Sequence, residues 1–192
     1  MTRDKFPEWL RPPPEGFAAS DLDRLPGLPP HTELIDGSLV FASPQTQFHS
    51  LAITLLESAL RQAAPPTLRI RRQMTVTLGQ VQRPEPDVIA VHADRDGGLD
   101  LTTYRPDEVV LVVEVVCRAS CTRDRERKPQ LYATAGIRHF WRVESVDSRV
   151  VVYVYELDFA TNRYVLTGIH RERLTLSVPF ELDIDLSDID SL

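Results

Sequence analysis

Cysteine is scarce in this chain: two among 192 residues, Cys117 and Cys121, with three residues between them. That count excludes a four-thiolate structural zinc site and argues against a disulfide framework; reduced thiols in a cytoplasmic protein are expected. A basic surplus is missing as well. The formal charge of -6 and pI near 5.4 argue against a protein that coats nucleic acid nonspecifically. No apolar run approaches the roughly 18 residues of a membrane span. The stretch TRDKFPEWLRPPPEGF after Met1 has no apolar core of a secretion signal, so a soluble, non-exported chain is expected. No internal repeat is visible.

What is present points to one domain. With 42% hydrophobic residues the chain can bury a substantial core, and it is too short for two domains of ordinary size. Residues 1–19 read as a Pro-rich N-terminal arm, because Pro12-Pro13-Pro14 suits neither a regular helix nor a central strand. Residues 20–192 read as a single domain. Ser20 would cap a short helix before Pro26. Residues 31–41 read as two short strands around Asp36-Gly37, a dipeptide suited to the positive φ angles of a tight hairpin turn. Residues 47–63 carry Phe48, Leu51, Leu55 and Ala59 at three- and four-residue steps and read as a helix ended by Pro65-Pro66. Residues 68–78 alternate imperfectly and suggest a strand with an irregularity near Arg72. Residues 87–92 and 109–116 read as strands with a loop between them. A helix is expected from Thr122 or Arg123 to Ala135, kinked at or starting near Pro129 and ended by Gly136. Strands are expected at 139–143, 150–157, 163–167 and 174–178. The mixed order of elements predicts an α/β (α+β) domain around a mixed central sheet.

The segment VVLVVEVV at residues 109–116 sets the chemistry. A β-branched run reads as a strand buried on both faces, where the carboxylate of Glu114 costs several kcal/mol unless compensated. A second carboxylate, Asp87, follows Pro86 at the entrance of the preceding strand. Between residues 118 and 128 lie Arg118, Arg123, Arg125, Arg127 and Lys128 against Asp124 and Glu126, a local basic surplus; residues 181–192 carry five acids and no base. Two carboxylates from neighbouring strands with a cation at hand suit a divalent metal and a phosphate substrate. The plain alternative for Glu114 is a buried salt bridge to an arginine of 123–127. Tyr132, Phe140, Trp141 and Tyr153 read as core residues, Cys117 as packing, and Arg69, Arg71 and Arg72 as either a phosphate track or surface charge.

Taken together, His31-Thr-Glu33-Leu-Ile-Asp-Gly37, His49, Pro86-Asp87-Val-Ile-Ala-Val, Val112-Val-Glu114-Val-Val, Asp124 to Tyr132 (DRERKPQLY) and Ala135 to Trp141 (AGIRHFW) closely resemble the Uma-two-type restriction endonuclease family, within the PD-(D/E)XK nuclease superfamily. The resemblance covers nearly the whole chain from Ser20. It implies a restriction-endonuclease-like core and a Mg2+-dependent endonuclease that hydrolyses phosphodiester bonds in DNA, with Mn2+ able to substitute. By position, Asp87 and Glu114 match the metal carboxylates, with the Val115 carbonyl as a further ligand. Lys128 matches a helix-borne lysine that replaces the signature lysine, whose own position is Val116 here. Glu33 and His49 match the acid and histidine that flank the same cleft. Where relatives carry Ser-Pro-x-Ser, this chain has Cys117-Arg118-Ala119-Ser120. A homodimer is expected, since two sites acting on opposite strands suit two-fold symmetric DNA. The competing reading is a catalytically inactive nuclease-fold domain that binds a protein or nucleic acid.

Overall fold

Local sequence chemistry sets most element boundaries in the computed structural model, which describes residues 7–117 and 122–192. Asp36 and Gly37 adopt φ of 51° and 73°, closing the hairpin of β1 (Glu33–Ile35) and β2 (Ser38–Val40). Thr46 caps α1 (Gln47–Ala63) by accepting a hydrogen bond from the His49 amide at 3.3 Å. β3 (Leu68–Arg72) ends where Gln73 turns to φ 50°, so the expected irregularity is a break, and β4 (Thr75–Val76) follows. After β5 (Val88–His92) the expected loop contains β6 (Thr103–Tyr104), a two-residue strand parallel to β4 and too short to leave a periodic signal. β7 (Val109–Val115) comes next.

The chain then crosses over to β8 (His139–Val146), which lies parallel to β7; every other neighbour pair in the main sheet is antiparallel. A parallel pair needs such a crossover. It carries a π turn (Arg123–Arg127) followed by α2 (Lys128–Thr134). Pro129 lacks an amide and its ring crowds the carbonyl four residues back. The Lys128 amide instead donates to the Arg123 carbonyl, five residues back, and the turn widens there. Gly136, at φ 82°, ends the helix. β9 (Arg149–Asp158) and β10 (Arg163–His170) complete a meander, giving a six-stranded sheet in the order β10-β9-β8-β7-β5-β3. β11 (Arg173–Leu176) pairs with β12 (Leu182–Asp185) in a separate hairpin. Sequence reading does not anticipate β12 because its acids hide an alternation: Leu182 and Ile184 are buried, while Asp183 faces out to Arg173.

The two faces of the sheet are packed differently. On one, Leu56 and Leu60 of α1 meet Val88, Leu111, Val113, Trp141 and Val152, together with Leu174 and Ile184 from the second hairpin. On the other, Ile89, Val91, Val112 and Phe140 pack under Tyr132 and Ile137. Each fully buried Val or Leu contributes about 1.5–3 kcal/mol. β7 alternates between the faces and delivers Glu114 to the α2 side. Among the described residues no helix is long and apolar enough to cross a membrane.

Residues 17–23 are fastened to this body. Phe17 and Ala19 pack on Leu34. The expected short helix is a 3-10 turn (Ala19–Asp23) entered at Ala18 instead of Ser20, because the Asp21 carboxylate accepts the Ala18 amide at 2.7 Å. Behind it sits Arg83, 3% exposed. Its five N–H groups all find acceptors: Thr75 Oγ1, the Ala19 carbonyl, both Asp23 carboxylate oxygens and Thr102. The guanidinium holds the Asp23 carboxyl below its usual range.

Candidate metal and phosphate cleft

Strand register brings the two carboxylates together. Val88 lies opposite Val113, so Asp87, just ahead of β5, reaches the end of β7. The Val115 amide donates to Asp87 Oδ2 at 2.7 Å. His49, in the first turn of α1, places Nε2 3.0 Å from Asp87 Oδ1. Asp87 is thereby gripped from the sheet on one side and from α1 on the other.

Glu114 is 2% exposed and held by the opposite layer. The Tyr132 hydroxyl donates to Oε1 at 2.5 Å, and Lys128 Nζ donates to Oε2 at 3.0 Å. Lys128 Nζ also lies 2.7 Å from Glu33 on β1 and 3.5 Å from Asp124. Three carboxylates thus share an ammonium that has three N–H groups. Asp124, Lys128 and Tyr132 recur at four-residue steps, which puts all three on one face of the π turn and α2. Burial pushes the Glu114 carboxyl well above its ordinary range; Lys128 opposes this, while Asp124, Asp87 and Glu33 add to it. Burial alone would lower Lys128, but the attraction of Glu114, Glu33 and Asp124 outweighs it and keeps the ammonium charged.

These groups line a cleft of about 210 Å³. Its lining also includes His31 and Glu85, joined at 2.5 Å, and Gln73, Cys117 and Arg123. Burial raises the Glu85 carboxyl, and the Glu85 amide donates to Glu33 Oε1 at 2.9 Å. Among the described residues no three of His, Cys, Asp and Glu form a ready-made metal cage. The donor chemistry nonetheless fits a hard divalent cation. Five carboxylates line the cleft against one ammonium and one guanidinium, and each oxygen of Asp87 and Glu114 has one protein partner among the described residues, leaving a further lone pair for a ligand.

The five side chains singled out in the sequence, Asp87, Glu114, Lys128, His49 and Glu33, all line this cleft, and Val115 enters through its amide. The arginine alternative for Glu114 is not what the fold adopts: Arg125 turns to Glu144 and Arg127 to Asp36, and Glu114 takes Lys128 and Tyr132. Tyr132 is a core residue, as expected, and also a Glu114 partner, which sequence reading did not foresee. Asp124 and Arg123 were likewise legible only as charge; the four-residue spacing of 124, 128 and 132 was the available signal. Arg71 pairs with Asp96 and Arg69 bonds the carbonyls of Pro66 and Leu68, both outside the cleft. Cys117 is half-buried at the cleft wall. The departures at Arg118, Ala119 and Ser120, and Cys121, lie outside the described residues.

Residues 19–187 match the Uma2 family, described as "Putative restriction endonuclease". Among solved structures, the chain is similar to the crystal structure of a "putative nuclease belonging to DUF820" from Anabaena variabilis, with a TM-score of 0.69 at 16% identity. The match covers 91% of this chain and 98% of that one, so the two share a fold over nearly their whole lengths. No curated protein matches the chain.

Proposed function

The chain belongs to the Uma2 family, and we propose that it uses this cleft to hydrolyse phosphodiester bonds in DNA with the help of a bound Mg2+ or Mn2+. The observation that carries the reading is the meeting of Asp87 and Glu114 at the ends of two neighbouring strands, in a cleft whose carboxylates outnumber its ammonium. Asp87, Glu114 and the Val115 carbonyl would hold the cation. Such a cation supplies a hard Lewis acid that acidifies water and takes up charge on a phosphoryl oxygen. His49 fixes the Asp87 carboxylate through Oδ1 and is poised to pass a proton. Tyr132 and Lys128 fix Glu114 from behind. Glu33 tethers the Lys128 ammonium, which can turn one N–H toward an attacking water. Pairing of two copies would set two such sites on opposite strands. The free outer edge of β10, where Val165, Leu166 and Ile169 are exposed, supports that arrangement.

Supercoiled plasmid incubated with the chain and Mg2+ or Mn2+ should be nicked. Asp87→Ala and Glu114→Ala should each slow nicking about 10³-fold, roughly 4 kcal/mol of barrier. Equal cleavage by all three proteins would remove the assignment. One observation favours a catalytically inactive binding module instead: the carboxylates are already satisfied within the protein, and Val116 stands at the signature lysine position. That reading predicts DNA binding with no Mn2+ uptake in calorimetry at millimolar concentrations.

A further inference from the structure

The basic residues of the crossover have unequal fates. Arg125 is neutralised by Glu144, Arg127 by Asp36, and Lys128 by Glu33, Glu114 and Asp124. Arg123 differs. It lines the same cleft, its Nε is buried, and that nitrogen has no hydrogen-bond partner among the described residues. The widened π turn directs both Arg123 and its neighbour Asp124 inward, yet the carboxylates nearby are committed elsewhere. Asp87 is held by His49 and Val115, Glu85 pairs with His31, and Glu33, Glu114 and Asp124 surround Lys128.

A buried donor without an acceptor is costly to keep, and proteins tolerate one where an outside acceptor completes it. A guanidinium is a planar fork that matches two oxygens of a phosphate, whereas an ammonium acts as a point charge. Lys128 donates to Glu114 at 3.0 Å and lies 2.7 Å from Glu33 and 3.5 Å from Asp124, so its charge is already shared among three carboxylates and it meets a phosphate only against their pull. The Arg123 Nε can do so without giving up a hydrogen bond among the described residues. We propose that Arg123 is the phosphate-binding residue of the cleft, its guanidinium receiving a phosphodiester oxygen of a nucleic-acid strand laid beside Asp87 and Glu114. The inference rests on the nuclease reading and divides its labour: Lys128 organises carboxylates, and Arg123 holds the anion.

The test measures binding apart from cleavage. Fluorescence anisotropy of a labelled DNA duplex is followed in EDTA across a salt series from low ionic strength, for wild type, Arg123→Ala, Arg123→Lys and the exposed control Arg149→Ala. Arg123→Ala should bind about tenfold more weakly, and its log–log salt slope should be shallower by about 0.9, the loss of one phosphate contact. Arg123→Lys should keep the slope and recover only part of the affinity, and the control should match wild type. Because Arg123 makes no internal hydrogen bond through Nε, Arg123→Ala should melt at or above the wild-type temperature; a structural arginine would melt lower. A wild-type slope and affinity in Arg123→Ala, with wild type still cleaving in Mg2+, would overturn the phosphate contact alone. A wild type that neither binds in EDTA nor cleaves in Mg2+ would overturn the nuclease reading and this contact with it.

Discussion

Two buried charge clusters in this molecule obey opposite rules. Around Arg83, one guanidinium meets one carboxylate, and every N–H is matched by an acceptor. Around Lys128, three carboxylates crowd one ammonium, and the neighbouring Arg123 Nε is left without an acceptor among the described residues. The first cluster is balanced and joins the 3-10 turn at Ala19–Asp23 to β4 through Thr75. The second is unbalanced and lies open to a cleft. A buried charge excess destabilises the fold by itself, because desolvation is repaid only where partners are complete. Such an imbalance at a cleft is a physical mark of a place built for something that arrives later.

The sharpest way to break this contrast is to neutralise one charged side chain at a time, in the cleft and in the Arg83 cluster. Asp87→Asn and Glu114→Gln should cut plasmid nicking about 10³-fold while the melting temperature holds or rises, since each relieves like-charge crowding. A marked drop in melting temperature would mean that the cleft cluster is structural. Arg83→Met should behave in the reverse way. It strands several acceptors and Asp23, and should cost about 3 kcal/mol, lowering the melting temperature by roughly 6–12 °C, with nicking per folded molecule unchanged. Tyr132→Phe comes next. Losing one donor to Glu114 should weaken Mn2+ binding, read by calorimetry, about 10- to 100-fold, with a stability change within about 1.5 kcal/mol.

The smallest expected effect belongs to His139, a buried residue of β8 that lies in neither cluster. Burial lowers its pKa, with Arg138 adding to this and Glu156 opposing it. The unfolded chain therefore takes up the proton first. Stability should begin to fall as pH drops through the ordinary histidine value near 6.5 and should level off below the depressed folded-state value. Denaturant melts of His139→Gln should show a flatter limb over that range. An unchanged limb would assign the loss to other groups.

The sequence made the scaffold largely legible because its elements are regular. α1 spans the expected 47–63, and β7 follows the apolar run to within a residue. Pairing, by contrast, is a long-range property. Nothing local to residues 181–190 reveals that Leu182 and Ile184 face the core, and two-residue strands such as β4 and β6 form only because a partner is present. In the cleft, the members were recognisable from a resemblance, but their bonds were not. That Tyr132 would reach Glu114, and that the arginines at 125 and 127 would turn away from it, depends on the π turn at Pro129, which shifts the facing of the whole segment.

The lone parallel pair β7 and β8 has a further consequence. Its crossover bears Arg123, Asp124 and Lys128 in the cleft lining and Tyr132 against Glu114, so residues 122–134 are a component of the cleft in their own right. A protease nick at the tight turn of Asp147 and Ser148 would leave that component whole, whereas one between 122 and 128 would part Arg123 and Asp124 from the helix that anchors Lys128. The connector that topology requires also carries the cleft's basic side chains, and cutting it would loosen them without dismantling the sheet.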